Sequence, residues 1–240
     1  MYDNDKMLPS AVKDLENVRE FCDKMKIEYI TIKDFGDDKN YSNYLTLTEI
    51  SINIGQQKEK NTIVYYSGHS INGNILLPCG KEYNIIDIYS NITKHRKKNI
   101  VWIMDCCGGL NLNLPYMIKN GKFVISPYHK KYYNNQMLAI TSCGCNEKTI
   151  ADTNGSIFTY YLFKILPKIP ETYSGNMQTI IDTINYNTSS LSRQTCNIFS
   201  NYVIPTVIWT WITSYKNNII VDDMGSNLSV NGKNIKIDLN

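Results

Sequence analysis

Short apolar runs alternate along the chain with segments whose apolar residues recur at helical spacing. The apolar runs predict strands at 28–33, 62–66, 100–104, 137–142 and 202–212. The helical spacing predicts helices at 10–25, 45–60, 83–97, 155–166 and 177–186. Strands that alternate with helices in this way predict βαβ units and a mostly parallel sheet.

Two segments depart from this alternation. Residues 110–136 contain no Asp or Glu and show no sustained periodicity, which predicts an irregular linker. Residues 228–237 alternate around Asn231-Gly232, a strong short-range signal for a tight β-hairpin. No internal repeat is visible, and no composition shift divides the chain into two domains.

Chemically reactive residues follow two of the predicted strands. The run at 100–104 ends in Asp105, Cys106 and Cys107, and the run at 62–66 is followed by Ser67 and His69. The carboxyl ends of parallel strands meet at one edge of a sheet, where an imidazole could take the proton of a neighbouring thiol. The alternative is that both cysteines are small core residues, as free cysteines often are. The second motif favours the catalytic interpretation.

The motifs resemble those of a known family. Residues 65–69 (Tyr-Tyr-Ser-Gly-His) and 105–107 (Asp-Cys-Cys) are similar to the His and Cys motifs of metacaspases, within the caspase-like cysteine peptidases. Residues 149–152 and 155–159 resemble the segment that opens the family's small subunit. The resemblance spans roughly positions 8–210. It implies a caspase-like three-layer α/β sandwich, with a mostly parallel central sheet flanked by helices.

The resemblance assigns roles to the catalytic residues. The family's nucleophile is the third residue of its Cys motif, which is Cys107 here, and His69 becomes the general base and acid. The amides of Cys107 and Ser70 would form the oxyanion hole. The family has glycine at the position of Ser70, and a left-handed φ there would strain a serine.

The resemblance also implies an acidic S1 pocket and cleavage after Lys or Arg. Asp14, Ser67 and Asp105 match pocket positions of the family, whereas a pocket cysteine is replaced by Ala11. A pair of carboxylates is what a buried guanidinium or ammonium group needs. Two alternatives stay open. Asp14 could be a first-turn carboxylate favoured by the helix dipole, and Asp105 could cap a loop at a strand end.

Ser70 and two further departures from the family favour a second hypothesis, a caspase-fold decoy or regulator with weak or no activity. The family begins with an apolar strand that lies centrally in the sheet, and this sequence begins almost at the helix of Asp14. The C-terminal hairpin could fill the gap. The acidic loop that binds calcium in many metacaspases is also absent, since Glu82 is the only acidic residue in 70–83. Activity without calcium is therefore expected.

The resemblance predicts one caspase-like domain, with a large-subunit part at 8–109, the linker at 110–136, a small-subunit part at 137–215 and a hairpin tail at 216–240. Self-processing is expected in the linker after Lys130 or Lys131, with Lys119 and Lys122 as secondary candidates. The expected partner is a protein or peptide substrate, and the family implies a monomer.

Composition excludes other classes of function. A net charge of +3 gives no argument for nucleic-acid binding, and no apolar segment is long enough to span a membrane. The odd count of 7 cysteines and the lack of a signal-peptide pattern predict a reducing, cytoplasmic location. No metal or cofactor is expected, because the cysteines lack the paired spacing of structural zinc sites. The cysteines considered for zinc are Cys79, Cys106, Cys107, Cys143 and Cys145.

Overall fold

The computed structural model describes residues 9–33, 51, 54–56, 61–71, 74–76, 82–93, 99–108, 114–119, 122–127, 135–144, 146–165, 177–189, 194–201 and 217–222. The helices whose bounds the structure describes are α1 (Pro9–Met25), α2 (Ile85–Thr93), α3 (Ile157–Ile165) and α4 (Met177–Ser189), and residues 51 and 54–56 are also helical. The strands are β1 (Glu28–Lys33), β2 (Asn61–Ser67), β3 (His69–Ile71), β4 (Asn74–Leu76), β5 (Glu82–Asn84), β6 (Asn99–Asp105), β7 (Tyr116–Lys119), β8 (Lys122–Ile125), β9 (Met137–Thr141), β10 (Ala151–Asp152), β11 (Gly155–Ser156), β12 (Asn197–Ser200) and β13 (Asn217–Asp222).

A large sheet forms the centre of the molecule. Its strand order in the described part of the chain is β1-β13-β2-β6-β9-β12-β7-β8. From β1 to β9 all neighbours are parallel, and β12, β7 and β8 continue the sheet with antiparallel pairs. The predicted fold class, a mostly parallel sheet flanked by helices, is confirmed.

Helices cover both faces of this sheet. One core cluster joins alternate residues of β2 and β6 to α1, α3 and α4, and the other joins the intervening residues to α2. Residues 100–105 of β6 are therefore all buried, whereas in a half-exposed strand buried and exposed side chains would alternate. The continuous apolar run in the sequence is explained by this three-layer arrangement.

The central position next to the His strand is filled by a segment from the other end of the chain. β13 lies between β1 and β2 and is parallel to both, with Ile220 opposite Thr31 on one side and Tyr65 on the other. The sequence analysis suggested that the C-terminal hairpin could fill this place, and the segment that fills it is 217–222, near the start of the predicted tail. The hairpin at 228–237 and the strand at 202–212 lie outside the described residues.

The segment predicted as an irregular linker contributes two strands. β7 pairs with β12 and β8 pairs with β7, so part of residues 110–136 extends the sheet. These strands are short, and the sequence pattern of so few residues does not separate a strand from a loop. Among the described residues no helix is both long and apolar enough to cross a membrane.

A proline at Ile220 tests the placement of β13. Inside a central strand every amide has a ladder partner, so Ile220→Pro removes a hydrogen bond and distorts the pairing with β1 or β2. We expect loss of soluble protein or a melting temperature lowered by several degrees, measured by circular dichroism. The matched control Ile220→Val should melt like the parent, and a proline variant that also does so would contradict this topology.

Candidate active site

The pairing of β2 with β6 brings the two predicted motifs to one edge of the sheet. The two strands are parallel and in register, with Ser67 opposite Asp105. The pairing continues past the strand ends, because the Gly68 amide donates to the Asp105 carbonyl at 3.1 Å. His69 and Cys107 directly follow this point on their two strands. The register therefore places the imidazole and the thiol at the same strand ends, where chemistry in such sheets is usually found.

The backbone carbonyl of His69 accepts a hydrogen bond from a buried tyrosine. The Tyr66 hydroxyl donates to the His69 carbonyl at 2.7 Å and also approaches the Leu76 carbonyl at 3.4 Å. His69 begins β3, which pairs with β4 so that His69 lies opposite Leu76. One hydroxyl therefore ties the start of β3 and the end of β4 to the His strand β2.

Burial distinguishes the two adjacent cysteines. Cys106 is 1% exposed and packs in the apolar core near α2, and its burial raises the pKa of its thiol well above the usual range. Cys107 is only half-buried. Because the thiolate is the nucleophile, a buried thiol with a raised pKa is a poor candidate. The exposure of Cys107 supports the assignment that the motif suggested.

Ser70 does not carry the backbone strain that its replacement of glycine suggested. Among the described non-glycine residues, only Lys26 and Asn146 have a positive φ. Ser70 lies in β3 opposite Ile75, and its hydroxyl donates to the carbonyl of Cys107. The expectation of a strained serine is therefore wrong. The side chain instead links the His motif to the Cys motif.

Asp14 reaches the site from α1. Its carboxylate accepts a hydrogen bond from the Ser67 hydroxyl at 2.8 Å and one from the Ser156 amide at 2.6 Å. It is 1% exposed, and α1 has no acidic residue in its first turn. The alternative of a first-turn carboxylate favoured by the helix dipole is therefore wrong, because Asp14 lies beyond the first turn of α1 and bonds to β2 and β11.

Asp105 is held by threonine hydroxyls. Thr149 donates to one carboxylate oxygen at 2.8 Å and Thr159 donates to the other at 2.5 Å. The Tyr65 hydroxyl lies 2.7 Å from the Thr159 hydroxyl. Asp105 is 2% exposed, and the bond from Thr149 also agrees with the alternative that this strand-end acid caps a loop. Its position at the end of β6 places a buried acid directly before Cys106 and Cys107.

The two carboxyl groups are close enough to affect one another. Burial, and after it the charge of Asp105, raise the pKa of Asp14 to about 8. Burial also raises the pKa of Asp105, against the opposing effect of the hydroxyls of Ser156, Thr159 and Thr149. Two like charges in a dry site repel, so the pair keeps a proton when no cation is present.

Residues that donate to the carboxylates were not predicted as part of the site. Thr149, Ser156 and Thr159 lie in the segment that resembles the opening of the small subunit, which was the available signal. Their roles depend on which hydroxyls and amides face Asp14 and Asp105. A linear motif carries no information about that contact.

The remaining predicted residues are distributed as follows. Ala11 is buried in α1. Lys119 ends β7 and Lys122 begins β8, and both are exposed. Lys130 and Lys131 lie outside the described residues. Across the described ranges, no group of three or more His, Cys, Asp or Glu side chains could hold a metal ion.

The fold matches that of a solved caspase. Caspase-1 from Spodoptera frugiperda superimposes with a TM-score of 0.53 over 83% of this chain and 81% of that chain, at 12% sequence identity. At this identity the likeness establishes the caspase fold and no more. No protein-family profile and no curated protein sequence match the chain.

Asp14→Asn tests the proton held by the carboxyl pair. The folded-state pKa of about 8 lies above the unfolded value of 3.8, so Asp14 stabilises the fold fully below pH 4 and loses this contribution as the pH rises to 8. We expect the free energy of unfolding of the parent, relative to that of Asp14→Asn, to fall by about 1 kcal/mol per pH unit in this window. Urea unfolding at several pH values measures it.

The matched control for that measurement is Asp87→Asn. Asp87 is an exposed carboxyl group on α2. Its removal takes away one carboxyl group without touching the buried pair. A parent and an Asp14→Asn variant with parallel pH profiles would contradict the raised pKa.

Gly155→Ala tests the close approach of β11 to α1. Gly155 has φ +104°, and a Cβ built there would collide with a carboxylate oxygen of Asp14. We expect a loss of about 1–3 kcal/mol in the free energy of unfolding, measured by urea titration. Gly108→Ala is the control for backbone strain alone, because Gly108 has φ +72° with nothing within 4 Å of a built Cβ. Equal losses in the two variants would mean that the contact with Asp14 contributes nothing.

Proposed function

We propose that this protein is a metacaspase-like cysteine endopeptidase that cleaves after Lys or Arg, with Cys107 as nucleophile and His69 as general base and acid. The observation that carries the proposal is the register of β2 and β6, in which Ser67 lies opposite Asp105. It supports a dyad because His69 lies just after β2 and Cys107 lies just after β6. Acyl transfer needs such a base beside a nucleophile. The caspase fold of the chain agrees with this chemistry.

The proposed reaction proceeds through an acyl-enzyme. His69 accepts the thiol proton, and the Cys107 sulfur attacks the scissile carbonyl while the amides of Cys107 and Ser70 donate to the developing oxyanion. When the tetrahedral intermediate collapses, the C–N bond breaks and His69 gives its proton to the leaving amine. Water, deprotonated by His69, then attacks the thioester. This step releases the new carboxyl terminus and restores the thiol.

The buried carboxyl pair supports the proposed preference for a cationic P1 side chain. Asp14 and Asp105 are brought together beneath the catalytic edge, and Ser67 donates to Asp14. A guanidinium or ammonium group would replace the proton that the pair otherwise holds, and it would satisfy both carboxylates. A negatively charged P1 side chain would add a third like charge at this place.

A non-cleaving decoy is the second hypothesis, and the structural reasons for it are weaker than the sequence suggested. Ser70 has no positive φ, and β13 occupies the central position beside the His strand. Monomeric function, activity without calcium and self-processing after Lys130 or Lys131 stay predictions. The pairing of β7 with β12 supports a monomer, since it leaves β12 with a neighbour on both sides.

The decisive experiment compares peptides that differ only at P1, as Arg, Lys or Asp. The parent should cleave the Arg and Lys peptides, Cys107→Ala should be inactive, and Cys106→Ala should keep measurable activity because its thiol is buried. Asp105→Asn should lose roughly 30-fold or more in kcat/KM on Arg and Lys peptides, since breaking a buried charge pair costs about 2–5 kcal/mol. It should gain nothing on the Asp peptide.

Three outcomes would overturn parts of this proposal. Cleavage after Asp by the parent would refute the acidic pocket. Equal activity of Cys107→Ala and the parent would refute the assignment of Cys107 as the nucleophile. A folded parent that cleaves no peptide and forms no Cys107 adduct with an electrophilic Arg-based probe would support the decoy.

A further inference from the structure

The peptide group between Cys107 and Gly108 is bonded on both sides. Its carbonyl, which belongs to Cys107, accepts a hydrogen bond from the Ser70 hydroxyl. Its N–H, which belongs to Gly108, donates to the carbonyl of Glu147 at 2.7 Å. One partner comes from β3 and the other from the loop after β9. The plane of this peptide is therefore defined from two independent segments of the chain.

Glu147 is itself held in place. One oxygen of its carboxylate accepts hydrogen bonds from the amides of Gly144 and Thr195, both at 2.7 Å, and the other accepts from the Thr195 hydroxyl at 2.9 Å. Its own amide donates to the Gly144 carbonyl at 3.2 Å. The side chain therefore ties the loop after β9 to the segment before β12, and the backbone carbonyl of the same residue supports Gly108.

Hydrogen bonds, rather than side-chain packing, restrain the chain directly after the nucleophile. Gly108 has φ +72°, and a Cβ built on it would meet nothing within 4 Å. Glycine moves between left- and right-handed conformations at little cost. Without its two partners, this peptide could rotate and carry the amide and thiol of Cys107 with it.

We propose that Ser70 and Glu147 are positioning residues that clamp the Cys107–Gly108 peptide and thereby orient the nucleophile. The inference rests on the proposed peptidase function. The metacaspase motif has glycine where this chain has Ser70. In this proposal Ser70 has a specific role, because its hydroxyl donates to the carbonyl of Cys107. Neither side chain takes part in bond making, so both should affect the rate of acylation more than the binding of substrate.

Two pairs of variants separate positioning from general stability. Ser70→Ala removes the donor, whereas Ser70→Thr keeps a hydroxyl and suits a strand. Glu147→Ala removes the support of the loop. In Glu147→Gln the amide oxygen can still accept from Gly144 and Thr195, and its NH₂ group can donate to the Thr195 hydroxyl.

Steady-state kinetics on an Arg peptide provides the first measurement. Ser70→Ala and Glu147→Ala should each lower kcat roughly 3- to 10-fold, the effect of one hydrogen bond, with KM changed less than 2-fold. Ser70→Thr and Glu147→Gln should restore kcat to near the parent value. The matched control is Ser90→Ala on α2, whose hydroxyl also donates to a backbone carbonyl, that of Ile86, and which should behave like the parent.

Amide hydrogen exchange provides a second measurement that needs no activity. We expect the Gly108 amide, measured relative to the amides of β6 in the same variant, to exchange several-fold faster in Ser70→Ala and Glu147→Ala than in the parent, and at the parent rate in the two conservative variants. Unchanged exchange in both alanine variants would overturn the clamp, and faster exchange with unchanged kcat would overturn its positioning role. A parent that exchanges as expected but cleaves no peptide would instead refute the proposed function.

Discussion

The parallel, in-register pairing of β2 with β6 is the constraint on which the candidate site depends. With Ser67 opposite Asp105, the His and Cys motifs end at the same level of the sheet. A slip of one residue would turn every side chain of one strand to the other face. Such a slip is costly here, because alternate residues of both strands are buried in different core clusters on the two faces. The same burial that stabilises the sheet therefore aligns the His and Cys motifs.

Buried acids connect this alignment to the outer layer of helices. Asp14 accepts hydrogen bonds from β2 and β11, while Asp105 accepts one from α3. Buried carboxylates are tolerated only when donors satisfy them, so these contacts tie the position of α1 and α3 to the strand ends. The arrangement also leaves two buried carboxyl groups that share a proton at this edge of the sheet.

The sequence predicted the elements whose pattern is long or strongly periodic. The predicted bounds of the helix of Asp14, the His strand and the Cys strand lie close to the observed ones. Each of these elements buries a complete face or both faces. It missed β7 and β12, which are only four residues each and pair with one another. It suggested that the C-terminal hairpin could fill the central gap, but it did not predict the strand at 217–222 that fills it. Strand order depends on contacts between distant segments, and local periodicity does not record them.

At the site, the amino-acid sequence by itself determined which reactive residues follow which strands, and hence that a thiol and an imidazole would share one edge. Tertiary structure decided the rest. It buried Cys106 and left Cys107 half-exposed, and it showed that Ser70 bonds the Cys107 carbonyl instead of straining the backbone. It also filled the centre of the sheet with β13. The physical reason is that burial, pKa shifts and hydrogen-bond partners arise from segments that meet only when the chain is folded.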